Sequence, residues 1–162
     1  MQKKFISNLW LLLFLNLLIK PFWILGIDRS VQNLVGFEEY GFYTTILNFS
    51  FLFNILLDFG ITNYNNRNIA QNRHLLTKHF SNILVLRFLL AALYFVVIML
   101  TGLIIGYNSR QMSLLAVVGF NQFLLALILY LRSNISGLLM FRTDSILSVL
   151  DRFLMIVFVG YL

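Results

Sequence analysis

Apolar residues gather in four long stretches along this chain, at positions 9–27, 40–57, 83–106 and 114–131, each 18 to 24 residues long. A helix rises about 1.5 Å per residue, so each stretch matches a hydrocarbon core of about 30 Å. Lipid offers nothing to an unpaired N–H or C=O, and a helix pairs its own. The stretches are rich in Leu, Ile and Phe and lack the turn every ten residues or so that a barrel needs. The pattern predicts an all-α fold, a polytopic transmembrane helical bundle with four complete spans. A fifth stretch, 146–162, is interrupted by Asp151 and Arg152, and only ten apolar residues follow them. Ten residues reach about half a bilayer. It reads as an incomplete span, and the 162 residues read as the front part of a longer protein.

The polar segments between the stretches read as loops, and their cations set the orientation. Lys3 and Lys4 precede the first span, Arg67, Arg73 and Lys78 lie in 58–82, and Arg132 and Arg142 follow the fourth span. The alternate segments hold only Arg29 and Arg110. Lysine and arginine favour the cytoplasmic side, which places the N-terminus inside. This distribution also accounts for a net charge of +6 and a pI near 9.9. The charge belongs at an anionic lipid surface rather than on nucleic acid. Residues 9–15 resemble a signal-peptide core, but apolar sequence continues past them without a small-residue cleavage site, so the first span reads as an anchor. Cysteine is absent, which removes disulfides and thiolate chemistry. Pro21 should kink the first span by deleting a backbone donor.

Polar residues inside apolar helices are costly and therefore informative. Asn16 and Lys20 share a face of span one, four residues apart. Lys20 either snorkels outward or faces a water-filled cavity, where it would favour an anionic ligand. Tyr40, Thr44, Asn48 and Asp58 fall within an arc of roughly 80° on an unbroken helix, as interhelical hydrogen bonders or cavity lining. Arg87 lies a turn or two into span three and is expected to snorkel to the inner surface. Asn121 and Gln122 sit near the middle of span four, where either could join helices or touch a substrate. Gly102 and Gly106 have the Gly-x-x-x-Gly spacing of close helix pairs.

Catalytic and metal-binding patterns are sparse. His74 and His79 lie in an Asn-rich segment without Cys or carboxylate at ligand spacing, and Glu38 and Glu39 are adjacent and point apart. No glycine-rich phosphate loop or Asp-rich motif is present. The expectation is a non-enzyme with no cofactor, no catalytic residue and no metal.

Two ordered elements carry a family resemblance. Leu34 opens L-V-G-F-E-E-Y-G-F-Y ahead of span two, and D-F-G-I-T-N-Y-N-N-R-N-I-A runs from Asp58 to Ala70. Further on come R-S-N-I-S-G-L from Arg132 and D-S-I-L-S-V-L-D-R from Asp144 to Arg152. Together these resemble polysaccharide biosynthesis proteins of the O-antigen flippase type, in the multidrug/oligosaccharidyl-lipid/polysaccharide exporter superfamily. Val35 separates Leu34 from Gly36, a departure of one position from the family's Leu-Gly element.

The resemblance implies part of the first lobe of a two-lobe transporter in the bacterial inner membrane. Such a transporter carries a polyprenyl-diphosphate-linked oligosaccharide from the cytoplasmic to the periplasmic leaflet for surface polysaccharide. Implied partners are that lipid-linked oligosaccharide, membrane lipids, the remaining C-terminal spans of the same protein, and the polysaccharide polymerase machinery. On this reading Lys20, Asn16, Asn48, Arg87, Asn121 and Gln122 are cavity candidates, with Lys20 and then Arg87 countering the diphosphate. Gly36, Gly41, Asp58, Gly60, Arg67, Asp151 and Arg152 are structural or gating candidates. Gly36 and Gly41 would permit a turn or close approach, and Arg67 would relieve Asp58 at an unfavourable helix C-terminus. Without the opposing lobe no central cavity closes, so these residues alone are expected to be inactive. The alternatives are a multidrug or cation antiporter of the same superfamily, and a small non-transporting membrane assembly protein.

Overall fold

The computed structural model describes residues 10, 14, 17, 21, 23–72 and 75–161. All regular structure among them is helical. A π-helical segment, Trp23–Asp28, is followed by α1 (Arg29–Val35), α2 (Phe37–Leu52), α3 (Ile55–Asp58), α4 (Ile61–Gln71), α5 (Leu75–Ile105), α6 (Ser109–Gly137) and α7 (Phe141–Tyr161). The chain divides into two compact units, one of residues 1–40 with 140–162 and one of residues 41–139.

In the first unit the π-helical segment begins two residues after Pro21, where a backbone donor is missing. Gly36, at φ 90°, separates α1 from α2. Tyr40 donates its hydroxyl to Asp28 Oδ1 at 2.9 Å, tying the start of α2 back to the π-helical segment. The helix α7 packs on that same segment.

The second unit is built on an antiparallel hairpin of α5 and α6. Its turn is well specified. Gly106 at φ 86° lets Tyr107 N–H reach Gly102 O at 3.0 Å, while Gly106 N–H reaches Leu103 O at 3.0 Å. That pair of bonds closes the last turn of α5. Asn108 then caps α6 reciprocally with Gln111, each side chain accepting from the other's N–H at 2.9 Å. Ile98, Leu115, Val118, Tyr94 and Phe123 fill the seam, joined by Ile46 and Leu57 from α2 and α3. Close approach depends on Gly119, whose missing Cβ would stand 2.6 Å from Ile98 Cδ1.

Two helices, 80–105 and 109–137, are long and apolar enough to cross a membrane. A third candidate is a bent pair: 37–52 and 55–71 meet at 46°. Their outer faces carry exposed Leu93, Val96, Leu100, Val117, Phe120 and Ile128, the surface that lipid or further helices would cover. The first expected span lies mostly outside the described residues. In α7, Arg142, Asp144, Asp151 and Arg152 interrupt the apolar run.

The loops are shorter than the sequence pattern suggests. Segment 28–39 is helical apart from Gly36, and segment 58–82 contains α4 and the first turns of α5. The helix over the expected third span thus begins at Leu75, and the helix over the expected fourth extends over Ser109–Gly137. Polar residues continue both helices because their backbone bonds close internally whatever the side chain carries. Span two, expected to run unbroken over 40–57, is interrupted at Phe53–Asn54.

Candidate functional site

Immediately after α3 the chain takes two left-handed residues in succession, Phe59 at φ 44° and Gly60 at φ 80°. Glycine accepts that region freely, whereas a bulky side chain there is strained. The break ends one helix and starts another, freeing backbone groups that Asp58 and its neighbours then engage. Asp58 Oδ1 accepts the Thr62 N–H at 3.0 Å and the Thr62 hydroxyl at 2.6 Å. The carboxylate therefore sits at the N-terminus of α4, the favourable end of that helix dipole. The expected strain of Asp58 at a helix C-terminus does not arise, because α3 has only four residues and the side chain serves the next helix.

The cation that meets Asp58 is Arg87, from α5, and not Arg67. Arg67 is exposed on α4. Arg87 donates from Nη2 to Asp58 Oδ1 and to Thr62 Oγ1, and from Nη1 to Leu57 O at 3.1 Å. Its carbon Cζ lies 5.1 Å from the centroid of the Tyr130 ring, on α6. The group is 2% exposed, whereas the Asp58 side chain is 34% exposed. Snorkelling is thus replaced by inward burial. An arginine held by a carboxylate, a hydroxyl, a carbonyl and an aromatic face has no need to reach the interface.

Below this cluster a neutral one joins α4 to α6. Asn65 Nδ2 donates to Asn134 Oδ1 at 2.7 Å and to Ser133 Oγ at 3.2 Å. One turn on, Gly137 admits Ile69 and the Asn66 carbonyl, which stand 3.0 and 3.1 Å from where its Cβ would be. Small residues with a hydrogen-bonding amide are the usual means of close helix contact in lipid. Above the ion pair, Ser50 on α2 and Tyr94 on α5 share a hydrogen bond of 2.6 Å between their hydroxyls, both fully buried. Polar contacts therefore link every helix of this unit along one interior seam.

The candidates drawn from the sequence fare differently. Lys20 and Asn16 lie outside the described residues. Asn48 and Asn121 are exposed on the helix surfaces, while Gln122 and Arg87 are interior. The Arg87 charge is already met by Asp58. The four-residue stripe from Tyr40 to Asp58 loses its last member because the turn at Phe53–Asn54 takes Asp58 off the helical phase of Tyr40, Thr44 and Asn48, which stay on α2 with Thr44 half-buried and Asn48 exposed. Gly41 has open space around it, so it makes no close approach, whereas Gly36 does make a turn. Gly102 packs against Leu115 and Met112, but Gly106 is the end of its helix, so the pair does not form one contact face. Asp151 and Arg152 are helical in α7, and their side chains lie outside the described residues.

Thr62, Asn65, Tyr94, Tyr130, Ser133 and Asn134 complete the seam without having been singled out. The spacing Asp58-x-x-x-Thr62 across a glycine was the available signal, since it is a helix-start pattern. Among the described residues no group of three or more His, Asp or Glu could hold a metal. No family model, no curated protein and no solved structure matches this chain.

Proposed function

We propose that the chain is a membrane-embedded part of a transporter for an anionic lipid-linked saccharide, of the O-antigen flippase type. The observation that carries this reading is a buried arginine, Arg87, paired with a half-buried carboxylate, Asp58, at a helix break. Ionisable groups kept between apolar helices are expensive, and they commonly line transport pathways. Broken helices are likewise the usual building blocks of transporter sites. The sequence elements 34–43 and 58–70 support the family, and the break at Phe59–Gly60 falls inside the second of them. On this reading the protein is a multi-pass protein of the bacterial inner membrane with its N-terminus in the cytoplasm and four spans in these residues. Lys20 is the cation left to meet a diphosphate, since Arg87 is engaged by Asp58. The same engagement weighs against a cation antiporter, because Asp58 is not free for a coupling ion.

The test is complementation. The complete gene, encoding these residues together with the opposing lobe that the reading requires, should restore surface polysaccharide in a strain lacking its lipid-linked oligosaccharide flippase. Lys20→Ala should abolish that restoration while membrane expression persists. No restoration by the unaltered gene would end the flippase reading, and full restoration by Lys20→Ala would remove Lys20 from it.

A further inference from the structure

Gln122 is 2% exposed in the middle of α6, and its Nε2 has no hydrogen-bond partner among the described residues. Nε of Arg87 is the other buried donor in that condition, but its guanidinium is held at three acceptors and stacked on Tyr130. Gln122 has no comparable compensation. An amide N–H kept between apolar helices is costly unless something accepts from it.

The surroundings indicate what that is. Side chains three residues apart on a helix share a face, and each leans toward the N-terminal turn. Gln122 therefore leans back over the turn that contains Gly119. At that level stands Tyr94, whose Cε1 lies 3.6 Å from where a Gly119 Cβ would be. Tyr94 Oη is 2.6 Å from Ser50 Oγ and also donates to Ser50 O at 3.4 Å; each hydroxyl oxygen has two lone pairs, and the pair's own hydrogen bond uses only one of the four, so acceptor capacity is left for another donor. Burial on every side excludes a side chain from a further helix. A single water meets the requirement, accepting from the amide and donating to the hydroxyls.

We propose that Gln122 binds one internal water, which bridges its Nε2 to the Ser50–Tyr94 hydroxyl pair. The water ties α6 to the contact between α2 and α5, in the middle of the apolar seam. It stands independently of whether the chain is a transporter.

Radiolytic hydroxyl-radical footprinting of the full chain in lipid nanodiscs tests it directly. Tyr94 is 0% exposed, so radicals reach it only from a water bound beside it. The expected result is oxidation of Tyr94 in the unaltered protein and a several-fold slower rate in Gln122→Met, which keeps the length of the side chain without its amide. Gln122→Glu, which retains a polar end, should keep most of the rate and guards against a folding effect of the first variant. An unlabelled Tyr94 in the unaltered protein would overturn the proposal, as would an unchanged rate in Gln122→Met.

Discussion

At Asp58 and Arg87 the two halves of one ion pair live in different surroundings, and that difference predicts unequal mutational costs. Removing one partner of a buried pair typically costs about 3–5 kcal/mol, because the remaining charge is stranded. Asp58→Asn strands Arg87, which is 2% exposed and cannot recover water. Arg87→Met strands Asp58, which is 34% exposed and keeps both bonds from Thr62. Unfolding measured in detergent should therefore show the larger loss for Asp58→Asn, with the double variant recovering part of it. Equal losses would overturn the asymmetry, and a double variant as poor as the sum would mean that the pair is not a coupled unit. The sequence identified both residues as noteworthy but not as partners. They lie 29 positions apart, and the link depends on a left-handed turn at Phe59–Gly60 that swings Asp58 off the phase of its helix. Arg67 was the nearer cation along the chain, and proximity in sequence says little once a helix has bent.

At the level of elements, the hairpin of α5 and α6 is tightest at Gly119. A methyl group at Gly119 would stand 2.6 Å from Ile98 Cδ1, and Ile98 is fully buried. Overpacking of this kind costs about 1–3 kcal/mol. Gly119→Ala should thus lower the thermal midpoint, and adding Ile98→Val, which deletes the offending carbon, should restore most of it. Failure of the second change to rescue would place the strain elsewhere. These long helices were legible from apolar length alone. Their ends were not, because a membrane helix extends past its apolar run as long as its backbone bonds close. Helix α4 was missed for a different reason. Its sequence is rich in Asn and carries few apolar residues, so it reads as a loop. What makes it a helix is tertiary: Asp58 caps its start, and Asn65 and Ile69 press it onto Ser133, Asn134 and Gly137.

For the molecule as a whole, the question is whether the hairpin crosses a bilayer and in which sense. The helix α5 holds 31 residues, about 46 Å at helical rise, so its two ends cannot lie on the same side of a membrane that it spans. Gln71 ends α4 shortly before α5 begins, Ser109 begins α6 just after the turn, and both are exposed. The chain contains no cysteine, so a single cysteine at either position is a clean reporter. The cations Arg67, Arg73 and Lys78 flank Gln71, which the positive-inside rule assigns to the cytoplasm. In intact cells a membrane-impermeant maleimide should then label Ser109→Cys, and it should label Gln71→Cys only after the membrane is opened. Labelling of both in intact cells would show that the hairpin does not span. Labelling of Gln71→Cys alone would keep the span and reverse its orientation. That reversal would also put the basic segment on the leaflet where a cytoplasmic lipid-linked substrate is not loaded, and it would remove the directional basis of the proposed transport.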